Sequence, residues 1–88
     1  MEAVLDCAEI RARNDLHDAL TELLPLPEWY GRNLDALHDC LTDPMEPTLL
    51  ILRNADLLPE RLQGYGRSFL TVLNDCAAQN PAFQFRIE

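Results

Sequence analysis

The chain has 88 residues, 48% of them apolar, which suits one small domain over residues 1–88 with its own core and excludes a disordered segment. Fifteen acids against seven bases, all arginine, give a net charge of −8 at pH 7, which excludes the basic patches that nucleic acid or an anionic membrane requires. The electrostatic complement of such a chain is a basic protein, although acidity that serves only solubility is the plainer reading of the same number.

The elements follow in chain order. Ala3-Val4-Leu5, with its β-branched centre, predicts a first strand between Met1 and Cys7. Asn14 is the expected cap of a helix over residues 14–24, with Asp15 and Asp18 in the first turn. Leu16, Ala19, Leu20 and Leu23 form its apolar stripe, and His17 is assigned to its solvent surface. Pro25-Leu26-Pro27 stops the helix and forces an extended passage into a loop, Glu28 to Arg32. Asn33 caps a second helix, Leu34 to about Thr42, with Leu34, Leu37 and Leu41 inward; Asp43-Pro44 closes it. Thr48 to Leu52 is a continuous run of strand length, as expected of a strand covered on both faces of a sheet. Asn54-Ala55-Asp56 opens a short helical turn containing Leu57, Leu58 and Leu62. A longer helix over Ser68–Gln79 turns Phe69, Val72, Leu73 and Cys76 inward before Asn80-Pro81 ends it, and Phe83 to Ile87 alternates as a third strand. Helices between each pair of strands imply parallel pairing through right-handed crossovers. The expected fold is therefore α/β, a single layer of three parallel strands packed by helices in the order β-α-α-β-α-α-β.

Cys7, Cys40 and Cys76 are odd in number and form no metal-ligand pair, which suits a reducing compartment. The first ten residues lack a signal peptide's basic and apolar regions, and no apolar run reaches the roughly 18 residues of a membrane span. A soluble, cytoplasmic protein is expected.

Chemistry concentrates between Leu26 and Thr42. Asp35, Asp39 and Asp43 recur every four residues and line one face if the helix continues, where like charges destabilise it by a few tenths of a kcal/mol per pair. They form either an ordinary solvated face or charges kept for a partner. Trp29 and Tyr30 precede them; in an extended loop neighbouring side chains point to opposite sides, so one ring belongs to the core and the other to a contact surface. Gly31 supplies either a positive φ or room for close packing. His38 and Cys40, two apart on a helix, share no face and cannot jointly hold zinc, so no metal or cofactor is expected, and Cys40 reads as a core thiol. His38 with Asp35 has the spacing of a general base and its orienting carboxylate, and Asp35 with Asp39 that of a carboxylate pair. A chain this short has little room for a substrate cleft, and the reading is of a protein that is not an enzyme. Asp75, on the last long helix, is either a solvated flank or part of the same surface.

The run from Leu26 to Thr42 closely resembles the barstar family of intracellular ribonuclease inhibitors: Leu-Pro-Glu, an aromatic pair, Gly, then Asn-Leu-Asp-Ala-Leu and Asp-Cys-Leu-Thr. Weaker similarity covers the rest, including the entry Asn14-Asp15-Leu16-His17 and the closing helix and strand. The resemblance implies a three-stranded parallel sheet packed by helices. It also implies an inhibitor that binds a basic, secreted-type, guanyl-specific ribonuclease one-to-one, without contacting nucleic acid or membrane itself. By the same resemblance Asp39 stands in for the RNA phosphate before the enzyme's Arg and His residues, and Asp35 reinforces it. Trp29 stacks on the enzyme, and Asp75 adds a peripheral ion pair. Tyr30, Asn33, His38 and Thr42 complete the expected partner-binding set. Three positions depart from the pattern. Trp29 replaces a tyrosine, Asp75 a glutamate, and His38 a tryptophan, which exchanges an aromatic contact for a titratable one and opens the target to another ribonuclease or a nuclease toxin. If His38 faces the enzyme, affinity varies between about pH 5 and 8. The alternative role is an interaction module of the same fold that binds another basic protein.

Overall fold

The computed structural model describes residues 1–88. Strand β1 (Glu2–Asp6) runs into a single 3-10 turn, Cys7–Glu9, whose first N–H groups Asp6 caps through Ala8 at 3.0 Å. Helix α1 (Arg13–Leu23) and helix α2 (Leu34–Thr42) precede the central strand β2 (Thr48–Arg53). The short helix α3 (Leu57–Leu62) and the long helix α4 (Gly64–Gln79) lead to strand β3 (Phe83–Ile87). The sheet order is β1-β2-β3, with both pairs parallel. The expected α/β fold is the observed one.

Register explains how the layers divide. Ala3 lies beside Leu50 and Leu50 beside Phe85, while Leu5 lies beside Leu52. These residues share one face of the pleat, and all but the partly buried Phe85 belong to the buried cluster that also holds Leu16, Leu20, Leu37, Leu41, Leu58, Phe69, Leu73 and Cys76 from the four helices. The helices therefore cover one face only. On the other, Val4 is beside Ile51 and Ile51 beside Arg86. Ile51 is buried yet stands outside the main cluster, and Val4 remains exposed. The continuous run in β2 was expected to mean cover on both faces. Helices cover one side only, and on the other the buried Ile51 stands in register between Val4 and Arg86 of the neighbouring strands.

Two boundaries differ from those read in the sequence. The cap of α1 is Ala12, not Asn14; the carboxylate of Asp15 reaches back to accept from the backbone N–H groups of Arg11 and Ala12 at 3.0 and 3.1 Å. Helix α4 begins at Gly64, four residues before Ser68, despite two glycines in its first turn that disfavour helix. Gly66 is required there: a Cβ on it would sit 2.4 Å from the carbonyl oxygen of Leu58, so only glycine lets α4 meet α3.

Candidate functional site

The loop between α1 and α2 is fixed from within. Pro25 and Pro27 hold it extended, and a turn closes it where the Tyr30 N–H donates to the Pro27 carbonyl at 3.0 Å. The two adjacent aromatics then part: Trp29 is 80% exposed and Tyr30 only 7%. The Tyr30 hydroxyl lies 2.7 Å from Nδ1 of His17, and the hydroxyl of Tyr65, on α4, lies 2.7 Å from Nε2 of the same ring. His17 is thus buried between two tyrosines, not on the helix surface as the sequence suggested. A neutral imidazole offers one N–H and one bare nitrogen, so one tyrosine accepts and the other donates. Burial, more than the nearby Arg32 charge, holds the His17 pKa below its ordinary value. Burial likewise raises the Tyr30 and Tyr65 hydroxyls, with the Arg13 guanidinium, 4.2 Å from the Tyr65 ring centroid, opposing it at Tyr65. His17 lies three and seven residues from the buried Leu20 and Leu24, a spacing that places it on the inner face and was the available signal in the sequence.

The entry into α2 follows. The left-handed residue is Arg32, at φ 55°, and not Gly31. Gly31 serves close packing instead, since a Cβ there would meet Ala36 Cβ at 3.2 Å. Arg32 extends back to Asp18 at 2.6 Å and to the Asn14 carbonyl at 3.3 Å, tying the loop to α1. Asn33 caps α2 as expected, its side-chain oxygen accepting from the Ala36 N–H at 2.8 Å.

Helix α2 buries Leu37 and Leu41 and exposes Asp35 and Asp39. Asp43 follows the helix with extended backbone, so α2 ends where Asp43-Pro44 was expected to close it and only Asp35 and Asp39 share its helical face. The half-buried Thr42 donates its hydroxyl to the His38 carbonyl at 2.7 Å. His38 is half-buried beside α4, where the Gln79 amide nitrogen lies 3.4 Å from its Nε2. Asp75 is exposed four residues before Gln79, on the same stripe of α4, so Asp75, Gln79 and His38 form one edge. Asn80 donates to the Leu41 and Asp43 carbonyls at 3.0 and 3.2 Å and locks the ends of the two helices together.

The charges on this surface are unanswered. The chain has three ion pairs, Arg32–Asp18, Arg53–Glu88 and Arg86–Glu88, and none involves Asp35, Asp39 or Asp75. No His, Cys, Asp and Glu side chains gather in threes as a metal site requires. Cys7 and Cys76 are buried and burial pushes both thiols up to about 11; Cys40, partly buried, is raised by burial and then by Asp43 and Asp39. No helix is long and apolar enough to cross a membrane.

Fold and surface together define a small acidic α/β domain with a one-sided parallel sheet. The family described as Barstar (barnase inhibitor) matches residues 1–88. A protein of Bacillus subtilis (strain 168), "Putative ribonuclease inhibitor YrdF", is 37% identical over 73 residues, covering 82% of this chain and 80% of that protein. The chain belongs to the barstar family.

Proposed function

We propose that the protein is an intracellular inhibitor that closes the active site of a basic, guanyl-specific ribonuclease, one inhibitor to one enzyme, and that it performs no chemistry itself. The observation that carries this reading is the pairing of an 80%-exposed Trp29 with Asp35 and Asp39, whose carboxylates have no cation within the chain. An exposed indole is a large rigid anchor that immobilises at low entropic expense. Unpaired carboxylates on a preformed helix match the arginines with which a ribonuclease holds RNA phosphate, and Arg–carboxylate bonds are strong and directional. Asp39 is the phosphate mimic and Asp35 its neighbour on the same face. Asp75 and His38 extend the contact along α4. Asn33 and Thr42 fix the two ends of α2, and Tyr30, bonded to His17, anchors the loop that carries Trp29. An acidic surface of this kind also steers a basic enzyme and weakens with salt.

The test is a titration of the purified chain and its Asp39→Ala variant into guanyl-specific ribonucleases, with RNA cleavage followed at low and high salt. The expected result is one-to-one inhibition by the parent that weakens with salt and collapses in the variant. Inhibition that survives Asp39→Ala unchanged removes the phosphate-mimic role.

A further inference from the structure

Beside Trp29 the surface dips into a groove of about 260 Å3. Leu26 and Pro27 of the extended passage form one side, and Cys40, Pro44 and Met45 at the end of α2 form the other. Its volume lies below the roughly 300–1,000 Å3 of clefts that take small molecules, so it fits one side chain. The only carboxylate in its lining is Asp43, and no arginine lines it. Asp43 is exposed and forms no ion pair, and its carboxylate accepts no hydrogen bond. Its backbone is nonetheless held, because Asn80 clasps the Asp43 carbonyl at 3.2 Å. Glu28 and Glu46, both exposed, flank the lining segments in sequence and add to the negative field.

We propose that this groove takes a single arginine side chain of the target ribonuclease, its stem along Pro27 and Met45 and its guanidinium against Trp29 and Asp43. The proposal rests on the inhibitor reading and adds a contact to it. A purely apolar side chain would cover the walls but strip water from Asp43 without replacing it. A long side chain with an apolar stem and a charged end satisfies both parts of the lining. Arginine fits better than lysine because its plane stacks on an indole while its N–H fork engages a carboxylate. A ribonuclease surface is rich in such residues because it must hold phosphates.

The experiment uses the full chain and barnase as the probe enzyme, with affinities measured for the parent, Asp43→Asn, Trp29→Ala and Asp39→Ala. Each is measured against barnase and against a series in which one surface arginine at a time is replaced by alanine. Asp43→Asn is expected to weaken binding about tenfold, the equivalent of one lost charge-assisted bond. That loss disappears against one arginine variant only, and Trp29→Ala couples to the same arginine. Thermal unfolding of Asp43→Asn matches the parent, which separates lost contact from lost folding. A change within about twofold, or a loss that persists against every arginine variant, overturns the groove assignment. If Asp39→Ala collapses binding while Asp43→Asn does not, the inhibitor reading stands and the groove falls alone. A parent chain that inhibits neither barnase nor any other guanyl-specific ribonuclease overturns both.

Discussion

Helices α1 and α2 each carry two aspartates and one histidine, and the two sets are used in opposite ways. On α1, Asp15 is spent on the backbone N–H groups of Arg11 and Ala12, Asp18 holds Arg32, and His17 is buried between Tyr30 and Tyr65. On α2, Asp35 and Asp39 have no ion pair, and His38 is half-buried against Gln79. Residue type does not distinguish the helices; the presence or absence of internal partners does. A carboxylate with its bonds already satisfied holds the chain together, and one without them remains available to another molecule.

Substitutions on the two helices test this contrast. The largest effect is expected from Asp39→Ala. It leaves thermal unfolding unchanged but weakens ribonuclease binding by up to about a hundredfold, the upper range for removing one partner of a charged hydrogen bond. Inhibition assays and calorimetry on one preparation check both halves. Tyr30→Phe has the reverse signature. It leaves one nitrogen of the buried His17 without its partner and lowers stability by about 1–3 kcal/mol in urea unfolding, with a smaller loss of affinity. An affinity loss at Tyr30 as large as that at Asp39 would erase the distinction between support and contact.

The two histidines sharpen the contrast further. Because the His17 pKa is depressed by burial, the unfolded chain binds a proton that the folded chain refuses between the folded pKa and about pH 6.5. Stability is therefore full above about pH 6.5 and falls as the pH drops through that window. Midpoint denaturation recorded from pH 7.5 downward shows the slope, and His17→Gln, which cannot titrate, flattens it. The smallest effect belongs to Asp18→Asn. An exposed ion pair of this kind is worth less than about 1 kcal/mol, and the loss shrinks further in high salt.

What the sequence made legible follows from what is local. Asn33 as a cap, the inward Leu37 and Leu41, and the three strands are decided within a few residues, and each is where the pattern predicted. That one of the two adjacent aromatics turns inward and the other outward is as expected, although a turn closed by the Tyr30 N–H on the Pro27 carbonyl, and not an extended loop, parts them. The misreadings at His17 and at the start of α4 involve residues that only the fold brings together. His17 is buried because Tyr30 and Tyr65, 13 and 48 residues away, supply its bonds. Helix α4 starts early because Gly66 must approach the Leu58 backbone, a tertiary demand that overrides propensity. Asp43-Pro44 closes α2 as the pattern predicted, because Pro44 disfavours helical backbone at the residue before it. The groove beside Trp29 is built from segments on either side of α2, so no single stretch of sequence announces it.

The order of the sheet has a kinetic consequence. Strand β1 cannot pair with β2 until the whole of α1, the loop and α2 has been laid down between them, because parallel neighbours require a crossover. The segment that bears Trp29, Asp35 and Asp39 is that crossover. Closing so long a loop is the slow part of assembling such a topology, and it comes before the distant contacts repay it. Ribonuclease binding, if carried by this segment, is therefore expected to return only when β1 and β2 have paired. In a refolding experiment, recovery of inhibition should follow the rate constant for sheet formation and never precede it, which makes the enzyme assay a clock for folding.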